Sequence, residues 1–142
     1  SVYLLNELNG DLISFNYDNG SFKKTGETSI VAQDFKGEVG AADIHISPDG
    51  KFLYASNRGE ANTLSIFKIL DSGKLESVGQ TSTLGKGPRN FAIDPTGNYL
   101  LVAHQYTNNI VVFKIDKTTG MLTDTGKKLD LCSPVCLVFT NI

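Results

Sequence analysis

The chain has 142 residues, of which 40% are hydrophobic and 20% are charged, and its formal net charge is −2. These values fit one globular domain and give no sign of a nucleic-acid or anionic-membrane partner. No apolar run approaches the ~20 residues that span a bilayer, and there is no signal-peptide pattern, although Ser1 is not a natural initiator and a preceding segment is expected.

The predicted elements are short strands that recur in the same order along the chain. "VYLLNEL" is followed by "DLISFNY", and later come the runs "IHISPDG", "LYASNRG", "TLSIFKI", "FAIDPTG", "LVAHQYT", "NIVVFKI" and "SPVCLVF". Phe15, Phe67 and Phe113 align at separations of 52 and 46 residues, and Pro48 and Pro95 align at 47. After each aromatic run comes Gly-x-(Phe/Leu)-x-x-x-Gly, which predicts a turn and a further strand.

Each unit holds four strands, which we name A to D after "RNFAIDP", "NYLLVAHQ", "NIVVFKID" and "MLTDTGKKL". Four strands in about 47 residues, with no helical period, are typical of β-propeller blades. The sequence therefore predicts an all-β propeller of three four-stranded blades in a single domain, with repeat units of about 1–50, 51–97 and 98–142. Twelve strands are expected, because the chain opens on a strand B and closes on a strand A.

Three blades are fewer than the four to eight that close a propeller ring. Two apolar sheet faces are left uncovered, which makes the chain prone to association. The expected partners are the remaining blades of a longer parent chain or another copy.

In an up-and-down blade the tips of strand B and the entries to strand A share one face. Glu7, Arg58 and Gln105 occupy one column at the B tips, so Glu7 and Arg58 are expected at the mouth of the central funnel. A carboxylate can act as a general base toward water, and a guanidinium can stabilise an oxyanion or bind a phosphate or carboxylate. The alternative from spacing alone is a structural ion pair between two blades.

Further candidates for substrate contact are Asn57, beside Arg58, and Arg89, at the entry to a strand A on the same face. His45 shares its column with Ala92 and Val138, which favours a buried core histidine over a catalytic one, and it is kept as a third substrate candidate. His104 replaces Asn at a B tip and is expected to form a local hydrogen bond. The long connection from Gly26 to Gly40 either rims a pocket or is a surface insertion.

Cys132 and Cys136 lie four residues apart in an extended segment, about 13 Å along it, which is too far for a disulfide. We expect two buried structural thiols and, without a disulfide framework, a reducing, cytoplasmic location. The sequence shows no cofactor motif and no cluster of metal ligands.

The combination of "YLLNEL", "AADIHISPDGKFLYASNRG", "GPRNFAIDPTGNYLLVA" and "SPVCLVF" resembles the C-terminal portion of the lactonase-type seven-bladed propeller family. This family includes propeller-type 6-phosphogluconolactonases and carboxy-cis,cis-muconate cyclases. The resemblance covers essentially the whole chain and implies three of seven blades.

The family's proposed site contains a His and an Arg in its N-terminal half, a Glu in an "NEL"-like motif and an Arg in an "NRG"-like motif. The resemblance thus implies site roles for Glu7 and Arg58, whereas the His and the first Arg would belong to blades outside this chain. It implies a sugar-lactone hydrolase when full length and an inactive fragment alone. Two alternatives stay open: a muconate cycloisomerase and a non-catalytic propeller that binds a ligand.

Overall fold

The computed structural model describes residues 1–140, and β-strands are the regular secondary structure in that range. The first sheet contains β1 (Val2–Leu5), β2 (Asp11–Asp18) and β3 (Ser21–Ser29). The second contains β4 (Ala41–Ile46), β5 (Phe52–Asn57), β6 (Thr63–Ile69) and β7 (Leu75–Ser82). The third contains β8 (Pro88–Ile93), β9 (Tyr99–His104), β10 (Asn109–Ile115) and β11 (Leu122–Asp130). Sequential strands pair antiparallel in every sheet, as in consecutive propeller blades.

The A–B hairpins close by the same turn chemistry in the second and third blades. Gly50 and Gly97 adopt φ angles of 73° and 68°, in the left-handed region that favours glycine. The side chain of Ser47 accepts a hydrogen bond from Phe52 N at 3.0 Å, and Asp94 accepts one from Tyr99 N at 2.6 Å. Side chains of this kind stabilise tight turns because they satisfy the turn's amides.

Two apolar cores lie between the three sheets. The core between the second and third sheets contains buried side chains that include Tyr54, Ile66, Phe91 and Phe113. A smaller core between the first and second sheets includes Leu12, Leu53 and Phe67. Strands A and B lack strict alternation because both faces of the second sheet are packed against neighbouring sheets.

Hydrogen bonds between blades recur at equivalent positions of the repeat. The hydroxyl of Tyr3 donates to Gly73 O at 2.9 Å, and that of Tyr54 donates to Gly120 O at 2.8 Å. Each tyrosine lies in a strand B, and each acceptor glycine lies in the C–D turn of the next blade. The repeat therefore specifies contacts between blades as well as strands within them.

The expectation of twelve strands is wrong by one for the described residues. The last predicted strand A, in 132–139, is irregular chain, held to the third blade by Leu137 N to Asn90 Oδ1 at 2.6 Å and Ser133 N to Asn108 Oδ1 at 2.9 Å. A strand needs a hydrogen-bonded neighbour, and this segment has no strand B to pair with in the described chain. The terminal residues 141 and 142 of the third repeat unit lie outside the described residues.

The same segment also corrects the expectation for the cysteines. Cys132 and Cys136 are free thiols and both are exposed, not buried. The segment contacts the third blade on one side, and no described strand covers its other side, so both thiols are exposed. The described residues contain no helix that is long and apolar enough to cross a membrane.

The outer faces of the three-blade stack carry exposed apolar side chains, as expected where no described blade covers them. On the first blade these include Val2, Leu4 and Tyr17, and beyond β11 they include Leu131 and Phe139. Coverage of these faces by further blades or by another copy stays a prediction, which light scattering of the purified chain checks.

Candidate functional site

Arg58 follows β5 directly and is positioned by main-chain contacts. Its amide donates to Gly40 O at 2.8 Å, which ties the tip of β5 to the loop that enters β4. Ala41 pairs with Asn57 at this end of the hairpin, whereas Ile46 pairs with Leu53 beside the "SPDG" turn. Arg58 therefore lies at the end of the blade opposite that turn, as predicted.

Glu7 reaches Arg58 from the first blade. Its carboxylate Oε1 accepts a hydrogen bond from Nη2 of Arg58, and its main-chain oxygen accepts one from Ala41 N at 2.9 Å. The side chain of Arg58 is 23% exposed and that of Glu7 is 58% exposed. The predicted proximity of the two groups is thus present, and each remains accessible to a small molecule.

Arg89 completes a charged cluster at the same end of the blades. The pairing of β8 with β9 shifts between Pro88 and Asn90, so Arg89 lies in a bulge outside the regular ladder. Bulges re-aim side chains at strand ends and near functional sites. No described residue forms an ion pair with Arg89.

These three side chains line one open cleft, which we call the charged cleft. Its volume is about 320 Å³, and Leu5, Ala41, Ala42 and Ile44 form its apolar wall. The charged groups sum to +1, since two guanidiniums face one carboxylate. Such a cleft can bind an anionic group, activate water at the carboxylate and stabilise a developing oxyanion.

Asn57 is 1% exposed and acts within the loop structure. Its Oδ1 accepts hydrogen bonds from Gly40 N at 3.0 Å and Gly59 N at 3.1 Å. These bonds fix the turn that carries Arg58, which favours a positioning role. Direct contact between Asn57 and a substrate stays a prediction.

His45 is not the core histidine that its column favoured, because its side chain is 44% exposed. β4 is the edge strand of its sheet, and the imidazole extends into an open cavity beside it. The ring packs edge-on against Phe91, with centroids 4.9 Å apart, and Nε2 lies 3.1 Å from Oδ2 of Asp43. His45 lines a separate cavity with Tyr3 and Leu53, not the charged cleft.

Asp43 links the second and third blades, a role that the motif analysis missed. Its carboxylate accepts hydrogen bonds from Asn90 Nδ2 at 2.6 Å and Phe91 N at 3.0 Å. Burial tends to raise the pKa of Asp43, but hydrogen bonds from His45, Phe91 and Ile44 N outweigh it and hold the pKa below the usual range. The 47-residue spacing of Asp43 and Asn90 was the signal that could have indicated this contact.

His104 occupies the B tip of the third blade and is completely buried. Neither ring nitrogen has a hydrogen-bond partner of normal geometry, so the expected local hydrogen bond is not formed. Burial lowers the pKa of His104, and the polar groups of Asn109 and Thr83 offset this only in part. The ring packs directly beneath Gly85, where a Cβ would lie 2.5 Å from it.

The long connection between β3 and β4 packs on the tip of β5. Glu60 N donates to Glu38 O at 3.0 Å, and a Cβ on Gly59 would lie 2.1 Å from the same oxygen. The connection therefore packs at the Arg58 end of the second blade, and its role as the rim of a substrate pocket stays a prediction. Among the described residues no group of three His, Cys, Asp or Glu side chains could hold a metal ion.

Three antiparallel blades with a Glu–Arg pair at one end define a sector of a β-propeller with a polar cleft at its mouth. A family model described as "Lactonase, 7-bladed beta-propeller" matches residues 1–139. The chain belongs to this family.

Similar proteins come from several bacteria. The chain is similar to a 6-phosphogluconolactonase of Formosa agariphila, with 46% identity over 89% of this chain and 36% of the relative, and to one of Bacillus subtilis, with 34% identity over 99% and 41%. It is also similar to the periplasmic gluconolactonase PpgL of Pseudomonas aeruginosa, with a TM-score of 0.94 and 35% identity over 98% of this chain and 39% of that structure. The chain thus spans about two fifths of the length of these relatives.

Proposed function

We propose that the propeller containing this chain hydrolyses a sugar lactone at the charged cleft. The observation that carries the proposal is the meeting of Glu7, Arg58 and Arg89 around one cleft, at the mouth formed by three consecutive blades. Membership of the lactonase family and relatives named 6-phosphogluconolactonase support it. Blades outside this chain contribute the remaining wall of the site.

In this mechanism Glu7 removes a proton from a water molecule as the water oxygen attacks the lactone carbonyl carbon. The carbonyl oxygen becomes an oxyanion, which Arg58 stabilises through its N–H groups. The tetrahedral intermediate then collapses, the bond from the carbonyl carbon to the ring oxygen breaks, and the ring oxygen takes the proton from Glu7. The product is the open-chain sugar acid, and Glu7 returns to its ionised form.

Arg89 is assigned to an anionic substituent of the substrate. Its guanidinium has no ion-pair partner among the described residues, while Arg58 is already paired with Glu7. An unpaired guanidinium binds phosphate or carboxylate through two parallel hydrogen bonds.

The test is steady-state kinetics of the full-length propeller with glucono-δ-lactone and its 6-phosphate. We expect hydrolysis of both, with a lower KM for the phosphorylated lactone. Arg89→Lys keeps the charge but loses the two-point geometry, so it should raise KM for the phosphorylated substrate selectively.

Hydrolysis of neither lactone by the wild-type protein would reject the proposal. A carboxylated muconate would then be the next substrate to assay. Ligand binding without turnover on any of these compounds would instead indicate a non-catalytic propeller.

A further inference from the structure

A second groove lies beside the charged cleft, between the B–C loops of the second and third blades. Its volume is about 430 Å³, and its main lining side chains are Glu38, Arg58, Glu60, Asn62, Lys86 and Tyr106. Arg58 lines both spaces, so the groove, which we call the outer groove, adjoins the cleft at this residue. Both blades that form it lie within the described residues.

The walls of this outer groove are fixed by hydrogen bonds between the blades. Asn62 Oδ1 accepts a bond from Gly87 N at 2.7 Å, and Tyr106 N donates to Lys86 O at 3.1 Å. The ring of Tyr106 packs on Gly87, where a Cβ would lie 2.5 Å from the ring. Tyr106 nevertheless remains 62% exposed, so the packing holds the ring in place without covering it.

The charge of the outer groove differs from that of the cleft. Arg58 is already counted with Glu7 in the cleft, so the groove itself adds Glu38, Glu60 and Lys86, which sum to −1 and form no ion pair among the described residues. Such a groove does not attract a phosphate dianion, whereas the cleft, with its net charge of +1, does. The carboxylates and the ammonium instead offer acceptors and donors to a neutral polyol.

We infer that the outer groove binds a second sugar ring attached to the lactone, an inference that rests on the proposed function. A pyranose has an apolar C–H face and a rim of hydroxyls, which match an exposed aromatic ring flanked by ionised side chains. Tyr106 supplies the stacking surface, and Glu38, Glu60 and Lys86 hydrogen-bond to the hydroxyls. With the reacting carbonyl at Arg58, the substituent extends across that residue into the groove. The substrate class is therefore a disaccharide lactone as well as a monosaccharide lactone.

The test compares glucono-δ-lactone with cellobiono-δ-lactone in steady-state kinetics of the full-length propeller. Tyr106→Ala should raise KM for the disaccharide lactone about 3- to 10-fold, the loss expected for one aromatic contact. It should leave KM for the monosaccharide lactone unchanged, and Tyr106→Phe should restore the disaccharide value because the ring is retained. Tyr99→Ala is the matched control, since Tyr99 is an exposed tyrosine that follows the "DPTG" turn at the opposite end of the blade.

Equal effects of Tyr106→Ala on both lactones, or no effect on either, would overturn the inference. Hydrolysis of the monosaccharide lactone alone by the wild-type protein would overturn it while leaving the proposed function intact. Hydrolysis of neither lactone would reject both.

Discussion

The tip of β5 and the tip of β9 occupy equivalent positions, 47 residues apart in the repeat, but differ in sequence and in contacts. At the β5 tip, Asn57 binds two loop amides and presents Arg58 to the cleft. At the β9 tip, the buried ring of His104 supports the loop from below and makes no such bonds. The amide of Gly87 is instead satisfied by Asn62 from the preceding blade.

This difference shows how one backbone position can serve two purposes in a repeat protein. The β5 tip uses a compact polar side chain to satisfy the loop amides, which leaves the next residue free to carry chemistry. The β9 tip fills the same space with an imidazole, and the neighbouring Gln105 does not reach the charged cleft. Substitutions at the two tips should therefore differ in kind as well as in size.

The largest expected effect on stability is at Gly59 in the β5 tip. A Cβ at this position would lie 2.1 Å from a main-chain oxygen of Glu38, which cannot rotate away. Gly59→Ala should lower the free energy of unfolding by about 3 kcal/mol, the upper range for overpacking. Urea unfolding measures it, with Gly85→Ala as the comparison at the β9 tip, where the Cβ would meet the ring of His104. A loss below about 1 kcal/mol for Gly59→Ala would show that the loop can move aside.

A smaller loss is expected when the side-chain cap of the β5 tip is removed. Asn57→Ala leaves the amides of Gly40 and Gly59 without their acceptor, which should cost about 1–3 kcal/mol. Asn98→Ala, at an exposed position on the opposite end of the blades, should change stability by less than about 0.5 kcal/mol. Equal thermal midpoints for the two variants would contradict the capping role.

The smallest effect is a pH dependence confined to the β9 tip. Because burial lowers the pKa of His104, the unfolded chain binds a proton more readily than the folded chain. The contribution of neutral, buried His104 to the free energy of unfolding is therefore fully present above the unfolded pKa of about 6.5. It is lost as the pH falls below that value, at no more than about 1.4 kcal/mol per pH unit. His104→Asn should flatten this fall between pH 7 and 5 in urea unfolding.

The acidic range provides an internal control for that experiment. Asp43, Asp94 and Asp116 have lowered pKa values, so their contribution is present above about pH 4 and is lost below it in both proteins. A wild-type stability that rises from pH 7 to 5 would contradict the assignment to His104.

The sequence predicted the blades well because each strand repeats a local pattern of β-branched residues bounded by turn residues. It also predicted that Glu7 and Arg58 lie close together, because strand direction alone places the B tips at one end of the blades. It failed at His45, because the small side chain of Ala92 in the same column is buried, whereas the larger imidazole extends into an open cavity. It failed again at 132–139, because an apolar run reads as a strand whether or not a pairing partner is present.

The contacts of Asp43 and the outer groove were not predicted for a related reason. Both depend on how adjacent blades are rotated against each other, which brings Asp43 to Phe91 and Glu38 to the rim near Tyr106. Spacing along one chain does not encode that rotation. The 47-residue interval between Asp43 and Asn90 was the one sequence signal that indicated a contact between the two blades.

One measurement decides whether Glu7 and Arg58 take part in catalysis or only join two blades. In the full-length propeller, Glu7→Gln keeps the shape of the side chain and removes the base. If Glu7 is the base, kcat for glucono-δ-lactone falls about 10²- to 10⁴-fold. The thermal midpoint changes little, because an exposed ion pair contributes about 0–1 kcal/mol. Glu27→Gln, which breaks the exposed pair with Lys24, is the matched control and should leave kcat unchanged. Wild-type turnover by Glu7→Gln together with a lowered thermal midpoint would contradict the account and make the pair a structural link between blades.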